Sequence, residues 1–279
     1  MTRSIADLDG APWVDTTEAF VARGGRGTQK KKLLTAPDGH RVGLVNFDGE
    51  ARPHIHTKAS TLFILDGEIE VRGRAAGAGC WVLEPYGAIH PRTKFFNVTY
   101  GLGMSDGDFG VGNIGLASET DVPEWALKLG FAVDELAHLV DSAKLEWQPF
   151  GEGLSLKLLH VFAGRPAFAS LIRAEAGATL PKRQYLGPFD AYVRSGRIEF
   201  HDAVAKPGDW VHEPAGAWDE VVTFPVATEF LANTYGTILE FDASGTFARA
   251  IDGYGLGAAG SRYTSMTGPV FTPAVGATR

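Results

Sequence analysis

Two stretches of the chain alternate apolar and polar positions with the period of a half-buried strand. They are EIEVRG at 68–73 and RIEFHD at 197–202. Around them, short runs of Val, Ile, Phe and Leu are broken by Gly, Pro and Asp, a pattern that predicts antiparallel β structure with tight turns. Gly67 and Gly196 follow Asp66 and Ser195 and are expected in hairpin turns, where Gly supplies a positive φ. PYG at 85–87 and PAG at 214–216 predict a second turn before strands that begin near His90 and Asp219. One region differs: between 121 and 147, Trp125, Leu129, Val133, Leu136, Leu139 and Val140 recur near helical spacing, and Pro123 suits a first helical turn. The Gly-rich tail, 253–271, lacks periodicity and is expected to be loop.

The two alternating stretches are parts of one pattern written twice. Gly67 and Gly196, Gly79 and Gly208, Trp81 and Trp210, Pro85 and Pro214, and Gly87 and Gly216 each lie 129 residues apart, and 11 of the 24 positions from Gly67 to His90 are identical at that offset without a gap. A repeat of this kind predicts two copies of one architecture. At 279 residues the chain has room for two domains of roughly 100–200 residues each. We expect an all-β chain of two tandem jelly-roll barrels, at 1–120 and 151–279, joined by a helical connector at 121–150.

Composition narrows the function classes. Hydrophobic residues make up 44% and charged residues 21%, a globular balance, and no stretch approaches the ~20 apolar residues of a membrane span. The acidic N-terminus has no apolar h-region, so a cytoplasmic location is expected. A net charge of −7 argues against a nucleic-acid partner, and the one basic run, RGTQKKKLL at 26–34, is expected to be a solvated loop or strand edge. The single cysteine, Cys80, excludes an internal disulfide and a cysteine zinc cluster; it sits in an apolar run as a small buried hydrophobe. Metal chemistry therefore has to use histidines and carboxylates. His54 and His56 stand two apart, which on a strand turns both imidazoles to one face.

These residues resemble the cupin superfamily. Its first motif, G-x5-H-x-H-x(3,4)-E-x6-G, is matched by Gly49, His54, His56 and Gly67 with one residue fewer before His54; its second, G-x5-P-x-G-x2-H-x3-N, is matched by Gly79, Pro85, Gly87 and His90. The resemblance covers both halves and is closest in style to the ChrR-like bicupins. Two positions depart: the glutamate slot falls on Ser60 or Thr61, and the asparagine slot holds Lys94. What remains is a set of three neutral imidazoles, His54, His56 and His90, similar to the three-histidine Fe(II) dioxygenases that cleave acetylacetone and 2,4'-dihydroxyacetophenone. At the same offset the second copy has Arg183, Tyr185 and Asp219, which implies a structural rather than metal-bearing lobe.

The resemblance implies one divalent metal, Fe(II) by likeness, although imidazole also suits Zn, Ni, Mn or Cu. It implies a dioxygenase that cleaves a C–C bond in a small β-diketone, hydroxyketone or phenolic compound, with O2 as co-substrate. Three neutral ligands leave the full charge on the metal and favour an anionic bidentate substrate. A metal-dependent isomerase, lyase or hydrolase on the same three histidines, and a non-catalytic small-ligand sensor, are the competing expectations. Ser60 or Thr61 is expected to touch substrate or water from the vacated slot, and alternation after His90 is expected to turn Arg92, Lys94, Phe96 and Tyr100 inward. Trp81 and Trp210 recur in both copies and are expected in the core; His40, His138, His160, His201 and His212 fit no ligand spacing. Cupin habit and jelly-roll edges imply a homodimer.

Overall fold

The computed structural model describes residues 3–56, 60–71, 73–84, 87–101, 114–118, 120–128, 132–133, 139–162 and 164–258. It is built of β-strands in two lobes. The first lobe has a sheet ordered Leu139–Asp141, Cys80–Glu84, Ser60–Val71, Thr93–Gly101, Arg41–Ala51, Arg26–Thr35 and Val14–Asp15, with Arg74–Gly77 beside Ser60–Val71. A second sheet of four short strands, Ile114–Gly115, His54–Ile55, Ala88–His90 and Ala132–Val133, carries His54 and His90. The second lobe repeats the plan with a seven-stranded sheet and two four-stranded ones.

Alternation along the strands sorts side chains into separate cores. In Phe189–Ser195, Ala191 and Val193 join Phe168, Phe224 and Phe230 inside the second lobe, while Ile64, Val71, Val82 and Val98 fill the first. The other face of both large sheets is also apolar. Phe63 and Trp81 from one lobe meet Leu171, Tyr192, Trp210 and Leu231 from the other in one buried cluster. Trp81 and Trp210, each 1% exposed, thus lie in the seam between the lobes. Each is covered by an imidazole: Trp81 stacks on His160 at 4.9 Å between centroids, and Trp210 on His40 at 6.4 Å. Burying several such side chains at about 1.5–3 kcal/mol each is enough to hold two lobes together.

Several elements differ from the pattern predicted by sequence. Among its described residues the expected helical connector is mostly not helix: it holds a helix at Glu124–Lys128, strands at Ala132–Val133 and Leu139–Asp141, and a 3-10 turn at Ser142–Lys144. Helical spacing there is overridden by pairing, because Leu139–Asp141 adds to the edge of Cys80–Glu84 and Ala132–Val133 runs parallel to Ala88–Ile89. Gly67 is not at a hairpin tip but inside the strand Ser60–Val71, at a bulge where the register with Thr93–Gly101 slips between Phe96 and Thr99. Its φ is 76°, and a Cβ would sit 2.4 Å from the Asn97 carbonyl oxygen. The basic run 26–34 lies in the strand Arg26–Thr35, where Gln29, Lys31 and Lys32 are buried. Part of the tail is helix, at Gly253–Ala258; residues after it lie outside the described set.

The first strand does not stay with the first 120 residues. Ser4–Asp7 pairs antiparallel with Asp209–His212 and forms the edge of the second lobe's large sheet. Just before it, Arg3 places its guanidinium over the Phe200 ring at 3.8 Å and bonds to Glu213, Asp202 and Asp219. Glu213 and Asp219 are each 1% exposed, so removing this cation strands two buried carboxylates. Arg3→Ala is expected to cost about 3 kcal/mol in urea unfolding, whereas Lys128→Ala, at an exposed ion pair with Glu124, is expected to cost less than about 0.5 kcal/mol. Equal losses in the two variants would contradict this role for Arg3.

Candidate metal centre

Local pairing brings the three histidines together. His54–Ile55 runs antiparallel to Ala88–His90 with His54 opposite His90 and Ile55 opposite Ile89. The pleat then puts the two imidazoles on one face and the two isoleucines on the other. Ile55 and Ile89 are fully buried against Leu116, Ala126 and Val122, so the short helix Glu124–Lys128 packs behind the histidine strands. His56 follows two positions after His54 and is tied down at Gly87 and Ala88: Gly87 N–H donates to the His56 carbonyl at 2.7 Å and His56 N–H donates to the Ala88 carbonyl at 2.8 Å. Gly87 reaches this position with φ 82°.

The rings converge. Centroids lie 4.9 Å apart for His54 and His56, 4.9 Å for His56 and His90, and 5.4 Å for His54 and His90. His54 and His56 present their Nε2 atoms to each other at 3.1 Å. His54 Nδ1–H donates to the Arg52 carbonyl at 2.9 Å, which leaves its Nε2 with a lone pair. His56 and His90 are each 4% exposed. Burial, with the neighbouring His90, holds His56 well below the usual imidazole range, so it stays neutral and able to act as a ligand. Two nitrogens at right angles on an ion about 2.1 Å away stand about 3 Å apart, and the observed separation of 3.1 Å fits that requirement.

The second lobe keeps the skeleton and changes the chemistry. Arg183 pairs opposite Asp219 as His54 pairs opposite His90, and Gly216 N–H donates to the Tyr185 carbonyl at 2.6 Å as Gly87 does to His56. Arg183 is bonded to Glu240 at 2.6 Å, and the Tyr185 hydroxyl donates to Asp219 at 2.8 Å. Burial pushes the Tyr185 phenol up to about 12. A buried ion-pair network thus fills the place of the imidazoles.

The residues expected around the histidines are placed differently. Arg92, Lys94 and Phe96 are exposed, and the inward positions are Thr93 and Phe95. Strand pairing stops at His90 and resumes at Thr93, so Pro91 and Arg92 reset the alternation. Arg92 bonds to Glu50, and Lys94 to Glu70 at 2.7 Å. Thr61 is buried but shares its strand face with Phe63, toward the seam, whereas Leu62 and Ile64 face the first lobe's interior. The side chains of Ser60 and Tyr100 lie outside the described residues.

A second constellation was missed in the sequence. His40, Asp190 and His212 bring ligand atoms within 4.8 Å of one another. The repeat carried a signal for it: at the offset of 129, Thr61 and Leu83 become Asp190 and His212, two facing positions that turn from uncharged to titratable together.

Comparison with known proteins places the fold. A proposed dioxygenase of Nostoc punctiforme is similar over 82% of this chain and 81% of its own, at 15% identity and a TM-score of 0.62. Bacillus subtilis oxalate decarboxylase, studied for its Mn(II) centres, is similar over 83% of this chain and 77% of its own, at 13% identity and a TM-score of 0.54. An acetylacetone dioxygenase from Acinetobacter johnsonii matches 40% of this chain and 83% of its own, at 21% identity and a TM-score of 0.38. No curated protein matches the sequence. Among the described residues, no helix is long and apolar enough to cross a membrane. The ChrR cupin-like domain is found in both halves, over residues 2–108 and 136–238, and the chain belongs to that family.

Proposed function

We propose that the first lobe is the active half of an Fe(II)-dependent dioxygenase that cleaves a C–C bond in a small β-diketone, hydroxyketone or related phenolic substrate. The observation that carries this reading is the convergence of three imidazoles, His54, His56 and His90, in a chain whose usual glutamate slot holds a hydroxyl residue, Ser60 or Thr61. The likeness to the proposed dioxygenase of Nostoc punctiforme supports a fold able to carry such chemistry.

His54, His56 and His90 would hold the metal. When bound, a ferrous ion there supplies Lewis acidity toward two substrate oxygens and one-electron chemistry toward O2. The chain's own part is to set charge and orientation. All three donors are neutral, so none of the metal's charge is cancelled by protein, and a singly charged enolate or phenolate is favoured over a neutral chelator. The Arg52 carbonyl fixes the His54 tautomer, and the buried backing of Ile55 and Ile89 fixes the strands from which the rings project. Burial of His56 and His90 keeps competing water from the ligand side.

Two outcomes test this reading. Protein stripped of metal and reconstituted with Fe(II) is expected to consume one O2 for each molecule of acetylacetone or hydroxyacetophenone cleaved; turnover under strict anaerobiosis would instead indicate an isomerase, lyase or hydrolase. His90→Ala is expected to lower Fe(II) affinity at least tenfold, while Arg92→Ala, at an exposed ion pair, is expected to leave metal content and turnover unchanged. Metal analysis of the purified variants reads this directly, and full iron occupancy in His90→Ala would remove His90 from the ligand set.

A further inference from the structure

Across the seam face of the second lobe's large sheet runs a row of polar side chains in register: His212 opposite Asp190, and Asp190 opposite Asn233. The first lobe lays the hairpin containing Asp38 and His40 over this row. His40 Nε2 lies 2.6 Å from Asp190 Oδ2, and His212 Nδ1 lies 3.0 Å from Asp190 Oδ1. One ligand atom from each of His40, Asp190 and His212 lies within 4.8 Å of the other two. We propose that these three residues form a second divalent-metal site, between the lobes and separate from the three-histidine set, suited to a first-row transition ion such as Zn2+.

The surroundings are those of a ligand set. The far nitrogen of His212, Nε2, donates to Asp38 Oδ2 at 3.0 Å, the carboxylate–imidazole pairing that orients a metal-bound histidine. Trp210 Nε1–H donates to Asp190 Oδ1 at 2.9 Å, fixing that carboxylate and leaving Oδ2 on the His40 side. Asp190 and His212 are each 1% exposed, in a seam where a divalent cation would displace the protons that otherwise pair the two imidazoles with Asp38 and Asp190. The Asn233 amide, also 1% exposed, has no partner for either its nitrogen or its oxygen among the described residues, and it stands cross-strand from Asp190 as an oxygen donor to an ion or its water. Two imidazoles, one carboxylate and an amide oxygen suit Zn2+ or Fe2+ better than Ca2+ or Mg2+.

The site ties Asp38 and His40 of the first lobe to Asp190 and His212 of the second. An ion held there would fix the angle between the lobes without touching the substrate.

Titration of the chelator-stripped full chain with Zn2+, with metal content measured after desalting, tests this proposal. Wild type is expected to take up two equivalents, the His54→Ala/His56→Ala double variant one, and the same variant carrying His40→Ala none, a loss of at least a hundredfold in affinity. His40 lies on the covering hairpin rather than in the sheet; His40→Gln repeats the test with a side chain of similar reach, and far-UV circular dichroism checks the fold of each variant. A wild-type chain that binds one equivalent, lost on His40 replacement and kept in the double variant, supports this site while failing the three-histidine one. A double variant that binds no Zn2+, or that keeps its ion through both His40 replacements, overturns the proposal.

Discussion

The meeting of the three imidazoles in the first lobe depends on one pairing, His54 opposite His90 across a ladder only two residues long. Such a short ladder cannot set its own register, so the register is imposed from both sides. Behind it, Ile55 and Ile89 are locked into an apolar cluster. A slip by one residue would turn the isoleucines to the site and the histidines to the core. Beyond its end, the turn at Gly87 returns a hydrogen bond to the His56 carbonyl and brings the third imidazole into line. The same turn and the same register recur at Gly216, Tyr185, Arg183 and Asp219, where the side chains make an ion-pair network. Backbone and chemistry are therefore separable in this fold: duplication preserved the first while the second diverged.

The two lobes share one buried apolar cluster. The seam holds the repeated tryptophans, each capped by an imidazole from the opposite lobe's hairpin. The strand Ser4–Asp7 crosses to complete the second lobe's sheet, and Arg3 pairs with Asp219, which stands at the position equivalent to His90, and with Glu213. The second lobe depends on the beginning of the chain, so the lobes do not separate at a single cut. The second lobe also serves as the surface against which the first lobe packs.

The repeat made the β architecture and the two-fold duplication legible, because identity at a constant offset is a property of the sequence alone, and likeness to the cupin motifs singled out the three histidines whose rings meet. Three things were hidden. Pairing of Leu139–Asp141 and Ala132–Val133 with first-lobe strands overrode a helical spacing that no capping signal supported beyond Lys128. Pro91 broke the alternation after His90, which put Arg92 and Lys94 in solvent rather than inside. The seam was invisible because its members, Trp81 and Trp210, read as ordinary core residues, and because His40 meets His212 only through tertiary packing. The change from Thr61 and Leu83 to Asp190 and His212 was on view in the repeat, yet only the fold shows that these positions face each other across paired strands.

The central claim is that His54, His56 and His90 hold one metal ion in common. Crystals of the chain loaded with Fe(II) under anaerobic conditions, with anomalous data collected on both sides of the iron edge, test it most directly. The account expects an anomalous peak bonded to all three imidazoles, at about 2.0–2.2 Å from His54 Nε2. Iron-loaded crystals with no peak between these three rings would contradict it.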